Sequence, residues 1–546
     1  LDRSGGRARG LNAVVRRMSD DAPGHVAEPA PARRVSAFHI VWNMMRGAVA
    51  GKLLGFLREI TTATVLGISA LADAFRAAAV AVTVPVMMLT NHVLPAVMIP
   101  QFRVWEQSGR APAILSSLLA VLFVASSLGA GVLFVWADAW VGLLVPGFDE
   151  ATLAQTIALV RVMLLATPMF LVSSVVLCAE VAIGRCRAGP LQQVFLNTSV
   201  IVGLLLFALT GQPLIIGWCF AAAFVALAVF GVWHLHSLGM IDLAGVRAGV
   251  GLAAIGQFAR RGGLLFLHPM LVGVAMIVER VIASGLATGA VAAMDYARAI
   301  SATGVVLVGM PVGMAVLAQD YDAEPAKART HFRRIALFSL AIGVPGAVAL
   351  VLLAPEIVTV LLQRGVFEAD ATLVTATILV GFGFGFWSEV LQDLLVKMLN
   401  AQGRNNVAML AVGAGFAAQI AFLFLAVPVF GLVALGLATA LRTVVSVAVS
   451  ALLLGQLLAL AGFVLRFVPL GIIAGAVTLA AEGIAPDWLK LIVVGGVLTV
   501  LCALYTWAVS SDVRGLTRRL GASLLRRLRA RRRRGDLARG RGDAAG

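Results

Sequence analysis

The sequence predicts an all-α, polytopic membrane protein, and three observations lead to that prediction. Of the 546 residues, 60% are hydrophobic and only 13% are charged, whereas soluble domains carry about 25% charged residues. The mean hydropathy is +0.97. Apolar stretches long enough to cross a bilayer, roughly 20 residues each, follow one another along most of the chain. These observations exclude a soluble globular protein.

Fourteen such spans can be recognised from the hydropathy pattern. They are 38–66, 71–102, 112–136, 153–182, 190–211, 213–236, 254–285, 288–318, 331–354, 371–400, 405–428, 430–457, 463–483 and 488–510. Short segments at 140–150 and 354–367 follow the third and ninth spans and predict surface helices at equivalent places. This repeat indicates two pseudo-symmetric six-helix lobes, and repeated halves around a central cavity are a common transporter architecture.

The predicted divisions of the chain follow from this repeat and from the charged tails. They are a basic cytoplasmic tail 1–37, an N-lobe 38–240, a C-lobe 241–460, two further spans in 461–510 and an Arg-rich tail 511–546. The formal net charge is +16, and much of the excess lies in the tails. We expect the second tail to bind anionic lipids beside the membrane. Nucleic-acid binding shares this electrostatic signature, but no folded nucleic-acid reader accompanies the tail.

Loop charges predict the orientation. Basic residues follow most even-numbered spans, and the loops after spans 1, 3, 5, 7 and 11 carry none. Because basic loops stay in the cytoplasm, we expect both termini there, with Arg364 and Lys490 as exceptions. No cleavable signal peptide is recognisable before the first span, so we expect that span to act as a signal anchor.

Catalytic and metal-binding motifs are missing from the sequence. It contains no Walker loop, no HExxH and no GxSxG. The four cysteines have no metal-ligand spacing. We therefore expect no enzymatic activity, no cofactor and no metal.

Span 1 carries three basic residues within an apolar helix: Arg46, Lys52 and Arg58. An ionisable side chain at the bilayer centre costs about 2.5–3.5 kcal/mol, so such residues usually face a hydrated cavity or a partner. We expect these three to build a cationic pocket for an anionic lipid headgroup. An ion pair with the adjacent Glu59 remains an alternative for Arg58.

Three glycines recur at intervals of four in the same span: Gly47, Gly51 and Gly55. Small residues at this interval permit close helix packing or an unwound stretch that lines a cavity. Either arrangement in a bent span 1 would aim its basic residues inward.

Further charged residues mark spans 2, 7 and 8. They are Asp73, Arg76, Glu279, Arg280, Asp295 and Arg298. Two of the pairs, Asp73 with Arg76 and Asp295 with Arg298, lie three residues apart, so each fits an ion pair within its own helix. A gating role is the alternative for Asp73 with Arg76, and a charged cluster of the second lobe is the alternative for Asp295 with Arg298.

Three segments together resemble a known family. They are GKLLGFLREITTATVLGISALADAF, VERVIASGLATGAVAAMDYARAI and LLQRGVFEADATLVTATIL. In this order and at matching spans, they are similar to signatures of the MurJ (MviN-type) lipid II flippases of the MOP exporter superfamily. Gly67 matches the family's turn glycine, and Asp73-Ala74-Phe75 matches its D-A-F. The likeness covers most of residues 38–460.

The resemblance implies a V-shaped, two-lobe transporter of the bacterial inner membrane. It would move a polyprenyl-diphosphate-linked saccharide to the outer leaflet for cell-wall synthesis. By position, the family's essential basic residues become Lys52 and Arg58, and Arg298 lies about one position from a third. We expect Lys52 and Arg58 to bind the diphosphate, helped by Arg46 and by Arg280 or Arg298. The charged residues expected to act in gating or in ion pairs are Glu59, Asp73, Arg76, Glu279 and Asp295. Val86-Met87 replaces a basic pair of the family, so the substrate is lipid II or a related envelope precursor.

Three alternatives remain open. A MATE-like drug or cation antiporter favours acidic cavity residues, whereas spans 1 and 2 hold more bases than acids. A membrane-embedded glycosyltransferase or ligase would need a large outer loop with catalytic carboxylates, and the sequence has no such loop. A non-transporting scaffold for envelope synthesis would recruit its partner proteins through the basic tail.

Overall fold

The computed structural model describes the backbone of residues 37–91, 93–317, 325–509 and 514, and most side chains in 51–306 and 332–509. Within these ranges all regular elements are helices and no strand occurs. The helices are α1 (Ala37–Leu66), α2 (Ala70–Thr90), α3 (Val93–Gln107), α4 (Ala111–Val135), α5 (Ala137–Leu144), α6 (Glu150–Met163), α7 (Thr167–Ala182), α8 (Ala188–Thr210), α9 (Leu214–Ser237), α10 (Ala248–Gly262), α11 (Leu267–Ser284), α12 (Ala290–Leu317), α13 (Pro325–Leu352), α14 (Ala354–Leu362), α15 (Ala369–Ala401), α16 (Asn405–Phe430), α17 (Val433–Leu453), α18 (Leu457–Ala480) and α19 (Asp487–Val509). We call α1–α9 the first half and α11–α17 the second half.

The all-α, polytopic class is confirmed. In the described part of the chain, eleven helical segments are long and apolar enough to cross a membrane. The three other predicted spans overlap α1, α11 and α12, in which some side chains lie outside the described residues.

Three predicted spans are interrupted rather than continuous. The second span is divided into α2 and α3 near Asn91, with Pro95 in the first turn of α3, where its missing N–H needs no partner. The fourth span contains a 3₁₀ turn at Leu164–Ala166, just before Pro168. The span predicted over 153–182 is confirmed as one membrane-length segment, Glu150–Ala182, that contains this turn.

The predicted seventh span also proved to be two helices. Its first part, α10, begins at Ala248 and ends at Gly262, and a 3₁₀ turn at Gly263–Phe266 leads into α11. The Gly-Gly sequence and Pro269 explain the break, since neither residue type favours a helix interior. Helix α10 packs against α3 and α4 of the first half, so it connects the two halves.

Helix α2 is placed between the two halves. It packs against α6 and α7 on one side and against α11 and α12 on the other. Its contact face is built mostly from alanine and valine, and such small side chains let neighbouring helices approach closely. The second half is centred on α15, which packs against α12, α13 and α17.

Lys490 explains one exception in the charge pattern. This residue lies in α19 and forms an ion pair with Glu356 of the short helix α14. Only 9% of its side chain is exposed. Helix α19 also packs against α13 and α14. Lys490 therefore acts as a buried ion-pair partner rather than as a loop charge that determines orientation.

Candidate functional site

Four glycines lie where the turns of the two halves meet, and we call them the glycine junction: Gly67, Gly147, Gly289 and Gly365. Gly289 has φ +86°, and a Cβ there would lie 2.1 Å from the carbonyl oxygen of Ile68. Gly365 has φ +61°, and a Cβ there would lie 2.3 Å from the carbonyl oxygen of Thr64. Main chain thus contacts main chain, which only glycine permits at these positions.

Asp73 closes the same region with hydrogen bonds. Its Oδ2 accepts from the backbone N–H of Gly289 at 2.6 Å, and its Oδ1 accepts from that of Ala292 at 2.7 Å. Asp73 belongs to α2 but satisfies the first N–H groups of α12, where a carboxylate is also favoured by the helix dipole. The ion pair between Asp73 and Arg76, one of the two alternatives for these residues, does not form.

Arg76 instead shares an acid with Arg58, and we call Arg58, Glu59 and Arg76 the first-half triad. Glu59 forms ion pairs with both arginines. Arg76 Nη1 also donates to Glu59 Oε1 at 3.3 Å. The Arg76 guanidinium lies 4.9 Å from the ring centre of Tyr296, and the Tyr296 hydroxyl donates to the carbonyl oxygen of Gly67 at 3.0 Å. The triad is therefore packed directly against α12 beneath the glycine junction.

The second half contains two ion pairs between α11 and α12, which we call the crossed pairs. Arg280 Nη2 donates to both carboxylate oxygens of Asp295, at 2.6 and 2.8 Å. Arg298 Nη2 donates to Glu279 Oε2 at 2.5 Å. Each partner lies on the neighbouring helix, so the alternative of an ion pair between Asp295 and Arg298 within α12 is not observed.

The arginines of the two sets differ in exposure. The side chains of Arg58 and Arg298 are 26% and 29% exposed. Those of Arg76 and Arg280 are only 9% and 4% exposed. Each set thus combines one arginine that can meet a ligand with one that is held inside the helix bundle.

The remaining residues predicted in span 1 lie further along α1. Lys52 is exposed and has no ion pair among the described residues. A Cβ on Gly51 would lie 2.7 Å from the Cβ of Gln193 in α8, and Gly55 faces Asn197. Asn197 Nδ2 donates to the carbonyl oxygen of Gly51 at 3.1 Å. These two glycines therefore lie at a contact between α1 and α8.

Two predicted residues lack a described environment. The side chain of Arg46 and the surroundings of Gly47 lie outside the described residues, although both positions belong to α1. Helix α1 is continuous over Ala37–Leu66, so the alternative of an unwound stretch was wrong.

Sequence reasoning did not single out the residues that complete the second half of the site. Gln419 Nε2 donates to the other oxygen of Glu279 at 2.5 Å. Arg442 and Glu389 line a cavity of about 260 Å³ with Glu279 and Arg298. They come from α15, α16 and α17, and no spacing along the chain connects them.

Comparison with known proteins identifies the family. The family described as "Lipid II flippase MurJ" matches residues 62–514. A probable lipid II flippase MurJ of Rhizobium meliloti (strain 1021) is 27% identical over 475 residues, which cover 81% of this chain and 86% of that protein. A probable lipid II flippase MurJ of Rhizobium tropici is 27% identical over 377 residues, covering 63% and 67%.

Solved structures of a MurJ flippase and of a MATE transporter share this fold. A lipid II flippase MurJ in an inward closed conformation superposes with a TM-score of 0.74 at 14% identity, covering 86% of this chain and 99% of that one. The MATE multidrug transporter DinF-BH superposes with a TM-score of 0.56 at 16% identity, covering 80% and 98%. At such identities the structures establish the fold alone. The match over residues 62–514 shows that this multi-span membrane protein belongs to the MurJ family of bacterial lipid II flippases.

Proposed function

We propose that this protein moves a polyprenyl-diphosphate-linked saccharide of the lipid II class from the cytoplasmic to the outer leaflet of the inner membrane. The observation that carries this proposal is the pair of partly exposed arginines, Arg58 and Arg298, one from each half. A diphosphate offers several anionic oxygens, which guanidinium groups bind in bidentate fashion.

If either arginine leaves its carboxylate, that acid keeps a second hydrogen-bond partner. If Arg58 turns to a phosphate, Glu59 still holds Arg76. If Arg298 turns, Glu279 still accepts a hydrogen bond from Gln419. An unpaired buried charge costs about 3–5 kcal/mol, so these second partners lower the cost of exchanging a carboxylate for a phosphate.

The other basic residues would act differently. Arg280 is too buried to reach a ligand in this conformation, so we assign it to positioning α11 against α12 through Asp295. Lys52 lies on the same helix as Arg58 and is exposed, which suits a second phosphate contact or the recruitment of the headgroup. Arg46 remains a proposed contributor on the cytoplasmic side of Lys52.

The glycine junction supports transport by alternating access. The basic loops predict that the 67–69 turn faces the outer side, so the junction and the Asp73 cap would close that side here. To release the headgroup to the outer side, the glycine junction and the Asp73 cap would have to separate. Rocking of the two halves around the site would produce this separation. The membrane potential is a suitable driver, since moving one charge is worth about 2.3 kcal/mol per 100 mV.

The test is translocation in proteoliposomes. The substrate is a fluorescent polyprenyl-diphosphate-linked disaccharide, and exposure of the label to a membrane-impermeant quencher is followed over time. We expect wild-type protein to move the lipid. We expect Arg58→Gln and Arg298→Gln each to slow movement by at least tenfold, because each removes one phosphate-binding guanidinium.

Arg161→Gln is the matched control, since Arg161 is also an ion-paired arginine of the first half. It pairs with Asp138 at 3.1 Å and lies outside the triad, so its removal should leave transport unchanged. Absence of transport by wild-type protein would favour a non-transporting scaffold. Full transport by both site variants would refute the assigned residues.

The proposal also covers the location of the two ends of the chain. We expect both termini in the cytoplasm, where the Arg-rich tail at 511–546 would bind anionic lipids. Labelling of single cysteines placed in each tail with an impermeant reagent, in intact and opened cells, measures this. Labelling of either tail in intact cells would contradict the orientation.

A further inference from the structure

The cavity of the second half contains an acid and a base that do not pair with each other. Arg442, from α17, makes no ion pair or hydrogen bond with any described residue. Glu389, from α15, accepts only a long hydrogen bond of 3.5 Å from Ser301 among these residues. Both line the cavity of about 260 Å³. Unpaired charges of both signs inside a helix bundle indicate that the cavity binds a charged group.

The aromatic contacts leave the Arg442 donors free. Its guanidinium lies 5.1 Å from the ring centre of Phe416. A cation–π contact uses the face of the guanidinium, so the N–H groups in its plane remain available for a carboxylate. Arg298 is held in the same way, 5.8 Å from the ring centre of Phe382, but its Nη2 already donates to Glu279.

The charges of the lining restrict what can bind. The cavity is lined by two carboxylates, Glu279 and Glu389, and by two guanidiniums, Arg298 and Arg442. A bare anion near Arg442 would be repelled by Glu389, and a bare cation near Glu389 would be repelled by Arg442. A group that carries both charges meets neither objection, because its carboxylate faces Arg442 and its amine faces Glu389.

Position and size fit a small part of a larger headgroup. Arg298 lies eight residues after the start of α12, and Arg442 lies nine residues after the start of α17. Each is therefore about 12–14 Å along its helix from the first residue of that helix. The cavity shares Val272 and Met276 with a cleft between α2 and α11, so it adjoins the boundary of the two halves. A volume of about 260 Å³ equals that of about nine water molecules at roughly 30 Å³ each, which suits an amino-acid-sized group rather than a whole disaccharide headgroup.

We propose that this cavity binds a zwitterionic, amino-acid-type group, with Arg442 holding its carboxylate and Glu389 its amine. As part of a lipid-linked headgroup, the group would be bound while Arg58 and Arg298 hold the diphosphate, and in that form the inference rests on the proposed function. A free amino acid from the cytoplasm offers the same chemistry.

The experiment measures binding to full-length protein in nanodiscs. Three probes share one polyprenyl-diphosphate disaccharide. The first carries an aminoacyl group with free amine and carboxylate, the second has the amine acetylated, and the third has the carboxylate amidated. We expect wild-type protein to prefer the first by about tenfold or more. Glu389→Gln should lose only the preference for the free amine, and Arg442→Gln only the preference for the free carboxylate.

Controls separate a lost site from a damaged protein. Arg466→Gln is matched to Arg442→Gln, because Arg466 also stacks on a phenylalanine, Phe463, at 5.8 Å, yet lies outside the cavity. It should keep both preferences. Arg442→Lys retains the charge and should keep part of the carboxylate preference if Arg442→Gln fails to fold.

The binding and flipping measurements together distinguish a headgroup site, a free amino-acid site and no site. Equal binding of all three probes, together with no thermal stabilisation by millimolar glycine, overturns the inference. If wild-type protein still flips these lipids, the proposed function stands without it. Stabilisation by glycine that is lost in Arg442→Gln, without any headgroup preference, assigns the cavity to a free amino acid. If no lipid is flipped, the proposed function fails, and the glycine measurement alone judges the cavity.

Discussion

The first-half triad and the crossed pairs use the same side chains in different proportions. In the triad, one carboxylate serves two arginines, so the group carries a net positive charge. In the crossed pairs, each carboxylate serves one arginine, so the charges cancel. We infer that the first half attracts an anionic headgroup, whereas the second half supplies an arginine that exchanges partners.

The largest expected effect breaks the triad at its shared acid. Glu59→Gln leaves the buried Arg76 without a carboxylate, which should destabilise the protein by about 3–5 kcal/mol. Arg58→Gln should cost less than about 1 kcal/mol, because Arg58 is partly exposed and Glu59 keeps Arg76. Thermal unfolding in detergent measures both. Equal losses of stability in the two variants would contradict the idea that Glu59 is needed to stabilise the buried Arg76 and that Arg58 contributes little.

A second test compares the buried crossed pair with an apolar replacement. Asp295→Asn leaves Arg280 buried without its acid and should again cost about 3–5 kcal/mol. Replacing both residues by leucine should restore most of the loss, because buried ion pairs are often no more stable than apolar pairs of similar size. A double variant as unstable as the single one would mean that this pair contributes net stability.

The smallest effect sets the baseline for both comparisons. Lys397 and Asp393 pair at 2.6 Å one turn apart on α15, and both side chains are 42% exposed. Lys397→Gln should change the free energy of unfolding by only about 0.2–0.5 kcal/mol. A loss comparable to that of Glu59→Gln would mean that exposure does not separate the two kinds of pair.

The sequence was sufficient to predict the helices and the charged spans but not the ion-pair partners. Hydropathy predicts segments that can cross a bilayer, and the charged residues within these segments stand out in the sequence. Spacing suggested that Asp73 pairs with Arg76 and Asp295 with Arg298, yet all four residues have other partners. Pairing across helices depends on how each helix is rotated and how close its neighbours lie, and a single sequence contains neither quantity.

The residues that line the cavity could not be grouped from the sequence for a related reason. Glu279 and Gln419 are 140 residues apart, and each looks like an isolated polar residue in an apolar helix. Tyr296 stands inside the family-like MDYARAI segment, which was a usable signal. The 3₁₀ turn at Leu164–Ala166 had only Pro168 as a warning, and proline is also tolerated in the first turn of a new helix.

The ion pair between Lys490 and Glu356 has a consequence for the last two helices. Removing α18 and α19 would leave Glu356 without its cation on a helix of the second half, so a truncated chain should lose stability as well as length. The same tether makes α14 and α19 travel together. Any rotation of the second half would therefore carry α18 and α19 with it, and the surrounding lipid would have to rearrange around these two helices as well.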